Sequence, residues 1–274
     1  MAPISRGWFD GQVAIVTGAS RGIGRAIAER LASEGATLVL TAVDAVALDR
    51  VRSACSDLGA QVHVEPGDLT DAQLPSRLVD VAKKELGGVD VVVHNAFWDE
   101  SRSVADVSLD GWDRTLRISL SAAMLLAKAA LPTFMAQRSG SIVNVSSMHA
   151  VAAGHSLAAY ESAKAGMFAL TRSIAVDYGR YGIRCNCVSP GLVLSERVRD
   201  WYTSGNHKVA MDVVVPLGRA GTPDEIANVV AFVAGPEASY MNGSIVWVDG
   251  GSVAGLPENA ALELIDRLSP RPPE

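Results

Sequence analysis

Val13-Ala-Ile-Val-Thr17-Gly18-Ala-Ser20-Arg21-Gly22-Ile23-Gly24-Arg-Ala-Ile27 is the stretch that decides how this chain folds. Its first five residues are apolar or β-branched throughout, the mark of a strand covered on both faces. From Gly22 the period changes: Ile23, Ile27 and Leu31 recur at four-residue spacing, as on a helix with one buried stripe, and Gly35 ends it. Strand, glycine loop and helix follow one another with no residue to spare. A loop that turns this sharply while an anion approaches its backbone has no room for side chains, and the helix start offers unpaired N–H groups. In a chain with 25 glycines the spacing alone arises by chance roughly one time in five, so its place between strand and helix carries the reading. That reading is a cradle for the pyrophosphate of a dinucleotide, built from Gly18, Ser20, Arg21, Gly22, Ile23 and Gly24.

Outward from this unit the alternation continues. Strands are expected at 37–43, 61–66, 89–94, 141–146, 183–188 and 244–248, with helices at 48–58, 74–86, within 108–136, at 160–178 and at 223–233. Continuous apolar strands separated by helices imply a parallel sheet with helices on both faces. No internal repeat, low-complexity tract or linker divides the sequence, so residues 1–274 are read as a single α/β domain. Two segments break the rhythm. A polar-aromatic insertion at 194–215 is expected to be a lid, and in the tail at 252–274 Leu262, Ile265 and Leu268 could form one helical stripe.

Composition narrows the class. A net charge of −6 is the wrong sign for neutralising phosphates along a nucleic acid. Residues 1–10 are too polar for a signal peptide. The most apolar helical stretch, 121–136, is interrupted by Lys128 and Pro132 and falls short of the ~20 apolar residues of a membrane span. Three cysteines cannot build a disulfide framework. Cys185 and Cys187, two apart on a strand, are expected as buried thiols, because no further Cys/His cluster completes a metal-ligand set. A cytoplasmic protein without a bound metal is expected.

The acid that holds an adenosine ribose is expected about 20 residues after the glycine loop, which points to Asp44; Asp68, after the third strand, is placed to bound the adenine pocket. Tyr160-Glu-Ser-Ala-Lys164 sets a phenol and an ammonium on one face of a helix. A free tyrosine with a pKa of about 10 is a poor acid–base group at neutral pH, and a neighbouring cation lowers that pKa. A shift of two to three units amounts to ~3–4 kcal/mol of bias toward the phenolate, enough to make a catalyst of it. Ser147 follows a strand thirteen positions before Tyr160. Ligands of open sheets bind at such carboxyl ends, and a hydroxyl there can hydrogen-bond an oxygen on which charge develops.

With these residues in view, the sequence resembles the short-chain dehydrogenase/reductase family, and most of all its branch of bacterial 3-oxoacyl-carrier-protein reductases and related alcohol dehydrogenases. The likeness runs from about Asp10 to Ser252. It includes Thr17-Gly-x-x-x-Gly-x-Gly24, Asp68-Leu69, Asn95-Ala96, Ser147, Tyr160-x-x-x-Lys164, Ser189-Pro190-Gly191, Pro216-Leu-Gly-Arg219 and Val248-Asp-Gly-Gly251. The resemblance implies a Rossmann-type, doubly wound, seven-stranded parallel sheet. It also implies an NAD(P)-dependent enzyme that moves a hydride between nicotinamide and a ketone or secondary alcohol. Tyr160 would exchange the proton, Ser147 would orient the substrate oxygen, and Lys164 would bind the nicotinamide ribose. Leu69, Asn95 and Ala96 would join the cofactor site, and Pro190, Gly191, Val193 and Ser195 would cradle the nicotinamide. A homotetramer or homodimer is implied as well.

Three departures stand out. Where the family has Asn-Asn-Ala-Gly, this chain has His94-Asn95-Ala96-Phe97. The family's catalytic asparagine, which helps hold a water in the proton relay to the lysine, aligns with Ser119. At Ala42 and Val43 stand neither the acid of many NAD-preferring members nor the arginine of many NADP-preferring ones, and Arg21 then favours NADP(H) over NAD(H) by meeting a 2′-phosphate. Phe97, Trp98, Met148, His149, His155, Trp201 and Tyr202 are expected to line an apolar substrate pocket. Two other functions stay open: a non-enzymatic dinucleotide-binding regulator, which Ser119 and Phe97 favour, and a tailoring enzyme for dehydration or epimerisation that uses the same three residues.

Overall fold

The computed structural model describes residues 7–204 and 207–255. The expected strand β1 is Val13–Thr17, and all five of its residues are buried. It pairs in parallel with β2 (Thr37–Thr41) on one side and β4 (Val91–His94) on the other. With β3 (Val62–Val64), β5 (Gly140–Val145), β6 (Ile183–Pro190) and β7 (Ile245–Val248) these make one seven-stranded sheet in the order β3-β2-β1-β4-β5-β6-β7. Every pairing in it is parallel. The chain winds outward from β1 to β3, returns to β4 beside β1, and winds outward the other way. The carboxyl ends of β1 and β4 therefore flank the crevice in which such sheets bind ligands.

Alternation along the strands divides the core between two faces. Val16, Leu38 and Val91 pack with α1 (Gly22–Ser33), α2 (Ala45–Asp57) and α9 (Pro223–Ala234) through Ile27, Leu31, Leu48, Ile226 and Val230. Ile15, Val39, Val92 and Ile142 face α3 (Leu74–Glu85), α5 (Ala122–Gln137) and α6 (Ala158–Tyr178) through Leu78, Leu126, Phe134 and Ile174. Cys185 and Cys187 are buried thiols, as expected, and burial pushes the Cys187 thiol up to about 12.

The differences from expectation have local causes. Strand β2 stops at Thr41 and α2 begins three residues early, because the Asp44 carboxylate accepts the Ala47 N–H at 2.9 Å and caps the helix. The long helix starts on a Ser108 cap as α4 (Leu109–Leu116) and passes through a π turn (Arg117–Ser121) into α5. Together these span Leu109–Gln137, 29 residues, long and apolar enough by length and composition to cross a membrane. That exceeds the short stretch expected, but half of its most apolar window is buried inside the protein, where α5 packs on the sheet. The insertion at 194–215 contains two helices, α7 (Glu196–Thr203) and α8 (His207–Val214). The stripe Leu262, Ile265 and Leu268 lies outside the described residues.

Candidate active site

Three glycines answer three different demands. Gly18 has φ +65°, and a Cβ there would stand 2.9 Å from the Ala96 Cα. A Cβ on Gly24 would come within 2.1 Å of the Gly18 carbonyl oxygen and 2.5 Å of Asn95 Nδ2. Gly22 has φ +54° and opens toward Ser195. The first two let the loop lie against the end of β4, and the third sets the backbone at the start of α1. Asn95 fastens this contact: its Nδ2 donates to the carbonyls of Thr17 and Gly18 at 3.1 and 3.2 Å. The side chain expected to meet cofactor thus braces the loop that would hold it.

A groove of about 510 Å³ runs over this loop. It is lined by Gly18, Ser20, Arg21, Gly22, Ile23 and Gly24, by Asp44 after β2, by Asp68 and Leu69 after β3, by Asn95, Ala96, Phe97 and Trp98 after β4, and by Ser195. These fourteen positions are gathered from beyond the ends of β1, β2, β3, β4 and β6, and a dinucleotide fits their chemistry. The glycine cradle would be filled by any Cβ, the α1 N-terminus faces in, and Thr41 Oγ1 on the wall is buried without a hydrogen-bond partner among the described residues. Arg114 of α4 also lines the groove, which the sequence did not suggest. It pairs with Asp68 at 3.1 Å and lies 5.0 Å over the Trp98 ring, contacts that span 46 residues of chain in the first case. Glu196 and Ile118 are further lining residues without a sequence signal.

Beyond strand β5 lies the next group of expected residues. Beyond its last residue Ser146 Oγ donates to the Lys164 carbonyl at 2.9 Å, which docks α6 on the strand end. Ser147 is 7% exposed, and its Oγ accepts the His149 N–H at 3.2 Å. Tyr160 lies in the first turns of α6 and Lys164 one turn further on, 1% exposed. The Lys164 Nζ donates to the Val145 carbonyl at 2.7 Å and lies 5.6 Å from the Tyr160 ring centroid. Burial pulls its pKa down to about 8. A charge this dry acts strongly on its neighbours, because little water screens it.

The departures meet at the same place. The Phe97 ring stands edge-on to Tyr160 at 5.7 Å, and Lys164 Nζ lies 5.6 Å from it. Ser119, fully buried in the π turn, exchanges hydrogen bonds with the Trp98 N–H and C=O, both at 3.4 Å. The π turn thereby grips the loop that carries Phe97.

The remaining expected residues scatter. His149 lies 6.5 Å from the Tyr160 ring and Met148 adjoins it, half-buried, whereas His155 is exposed on the following loop. Trp201 stacks on His207 at 4.8 Å, and the Tyr202 hydroxyl donates to Asp212, which Lys208 also pairs. Those two aromatics tie α7 to α8. Pro190 ends β6, and a Cβ on Gly191 would meet the Asp249 Cα at 2.7 Å. Val193 bridges to Gly221 through the Leu194 N–H and the Leu192 carbonyl, so its own N–H points away from that bridge.

Comparison with known proteins places this geometry. A family model described as enoyl-(acyl carrier protein) reductase matches residues 18–253. A probable short-chain type dehydrogenase/reductase of Bradyrhizobium diazoefficiens is 34% identical over 264 residues, covering 93% of this chain and 92% of that protein. The 3-oxoacyl-[acyl-carrier-protein] reductase of Escherichia coli is 35% identical over 244 residues, covering 89% and 98%. This chain belongs to the short-chain dehydrogenase/reductase family. A solved structure from Beutenbergia cavernae, assigned as an NAD(P)-dependent gluconate 5-dehydrogenase and holding NADP at low occupancy, superposes with a TM-score of 0.85. It is 30% identical, with 90% of this chain and 99% of that one covered. As a member of this family the protein is an NAD(P)-dependent oxidoreductase that acts on alcohol and carbonyl groups.

Proposed function

We propose that Ser147, Tyr160 and Lys164 are the catalytic residues of this oxidoreductase, that its substrate is an apolar ketone or secondary alcohol, and that NADP(H) is preferred. The observation that carries the reading is Lys164, buried under the Tyr160 ring on the same helix. When bound, the nicotinamide dinucleotide supplies or accepts the hydride. In reduction the Tyr160 hydroxyl gives its proton to the substrate oxygen, and Ser147 Oγ–H holds that oxygen as negative charge develops on it. Lys164 binds the nicotinamide ribose and stabilises the phenolate left on Tyr160. Phe97, Trp98, Met148 and His149 wall the substrate, and Ser119 supports this wall through Trp98. Arg21 on the groove supports the cofactor preference, since Asp44, the acid nearest the ribose position, is engaged in capping α2. The family resemblance and the unpaired buried thiols support a cytoplasmic homotetramer or homodimer.

The test is tryptophan-fluorescence titration with NADPH and NADH, followed by absorbance at the reduced-nicotinamide band over a panel of ketones and 3-oxoacyl thioesters. Tyr160→Phe is expected to lose ~10²–10⁴ of turnover, the usual worth of a positioned general acid, with cofactor binding nearly unchanged. Full activity in that variant would remove Tyr160 from the reaction. The second reading is a regulator that binds dinucleotide without turnover, and the Phe97 ring against both Tyr160 and Lys164 favours it. Tight binding with no oxidation of NADPH by any substrate, restored by Phe97→Gly, would decide for it.

A further inference from the structure

The wall of the groove beyond β3 and β4 carries a pair of opposite charges that takes no part in the transfer of hydride or proton. Asp68 follows β3, and its Oδ1 accepts the Thr70 N–H at 2.9 Å, which fixes the carboxylate. Its Oδ2 accepts Arg114 Nη2 at 3.1 Å, from a residue 46 positions further along the chain. The Arg114 side chain comes from α4 and lies against the Trp98 indole, with Cζ 5.0 Å from the ring centroid. All three residues line the groove that the glycine loop also lines, and so do Gly67 and Leu69 on either side of Asp68.

A guanidinium carries several N–H donors in one rigid plane and accepts nothing. Among the described residues Asp68 is the hydrogen-bond partner of this guanidinium, so most of its donors are unspent. The carboxylate likewise has lone pairs left after Thr70 and Arg114. Both side chains are open to a ligand, with 46% of Arg114 and 35% of Asp68 exposed. A pair this exposed is worth little to the stability of the fold. Stacking on the indole holds the guanidinium plane and leaves its edge to bond elsewhere. An acceptor and a donor thus stand side by side on the groove wall, each held by a second contact.

We propose that Arg114 is a cofactor-binding residue that reads the adenine base: its guanidinium donates to N7 while the Asp68 carboxylate beside it accepts from the exocyclic amine. Adenine presents a donor and an acceptor next to each other on that edge, where guanine presents two acceptors. The side-by-side carboxylate and guanidinium are the complement of the adenine pattern and repel the other at the carboxylate. The charge of Arg114 is already matched by Asp68, so the pair suits a neutral base better than a further phosphate. Trp98 keeps the guanidinium flat, and a lysine in its place would supply the charge without the planar fork. The inference rests on the reading of this groove as the dinucleotide site.

The test is calorimetric titration of the full chain with NADPH, NADH, ADP and 7-deaza-ADP, in which a C–H stands in place of N7. The parent is expected to bind ADP roughly tenfold more tightly than 7-deaza-ADP, the usual worth of a side chain that reads a base edge. Arg114→Met keeps an apolar stem over Trp98 and is expected to bind the two equally. The same variant should lose roughly tenfold in affinity for NADPH and for NADH alike. Arg114→Lys, without the fork, is expected to tell ADP from 7-deaza-ADP by less than about threefold. A parent indifferent to N7, or a preference for ADP that survives in Arg114→Met, overturns the proposal. A loss confined to NADPH also overturns it, since Arg114 would then be meeting the 2′-phosphate. If the methionine variant does not fold, the parent's preference and the lysine variant decide. Failure of the parent to bind ADP, NADH or NADPH at all would strike the dinucleotide reading of the groove itself, whereas binding without preference strikes the role of Arg114 alone.

Discussion

Lys164 sits in the fold as an ammonium with almost no contact with water, and that has a consequence for stability as well as for chemistry. Its pKa is about 8 in the fold against 10.5 for the ordinary group. Between those values the folded state binds fewer protons than the unfolded chain, so this group's contribution to stability rises as pH rises through the window. Below about pH 8 both states are protonated and the fold carries the full burden of a buried charge. Lys164→Met is therefore expected to abolish turnover while leaving the protein at least as stable at pH 7. Its denaturant midpoint should rise less between pH 8 and 10.5 than that of the parent, the difference reaching ~3 kcal/mol. Parallel midpoint curves for the two proteins would mean that the amine is not buried as an ammonium. At this scale the sequence was legible at Tyr160 and Lys164, whose four-residue spacing sets both on one face of α6. It was silent on Arg114, whose partners Asp68 and Trp98 come from other strand ends.

Elements owe their ends to single polar groups, and some of those ends were hidden in motifs. Arg219 of Pro216-Leu-Gly-Arg219 pairs with Glu225 at 2.6 Å, and Glu225 closes a capping box with Thr222 at the start of α9. The motif's conspicuous arginine thus serves a helix start. At the other end of α9 the Arg184 guanidinium donates to the carbonyls of Val233, Ala234 and Gly235 at 2.7, 2.8 and 2.9 Å. A cation there satisfies the last acceptors of the helix and opposes its dipole. Arg184→Ala leaves those partly buried carbonyls without it, and a loss of ~2–3 kcal/mol is expected, read as a lower urea midpoint with an unchanged slope. A midpoint within experimental scatter of the parent would show that water caps the helix as well. The π turn teaches the opposite lesson. Nothing in Arg117-Ile-Ser-Leu-Ser121 distinguishes it from ordinary helix; what sets it apart is the pair of hydrogen bonds that Ser119 exchanges with Trp98, 21 residues away.

For the molecule as a whole, the winding order sets a gradient of protection. β1, β4 and β5 are buried strands at the centre of the sheet, while β3 is an edge of three half-buried residues. Amide hydrogen exchange is expected to be slowest in Ala14–Val16, Val91–Val93 and Ile142–Val143, and orders of magnitude faster in Val62–Val64. Equal protection in β3 and β1 would contradict the strand order. The strand–loop–helix at 13–33, the alternation that follows it and the placing of Tyr160 and Lys164 on one helix face were determined by the sequence itself, because periodicity and side-chain spacing are local properties. The tertiary structure alone decided which strand ends meet. It turned Asn95 into a brace for the glycine loop, Asp44 into a helix cap, and Trp201 and Tyr202 into ties between α7 and α8. It also set Phe97 against Tyr160 and Lys164, and Ser119 against Trp98. These roles depend on contacts between residues far apart in the chain, and such contacts are fixed by how the helices and strands pack, which no local pattern encodes.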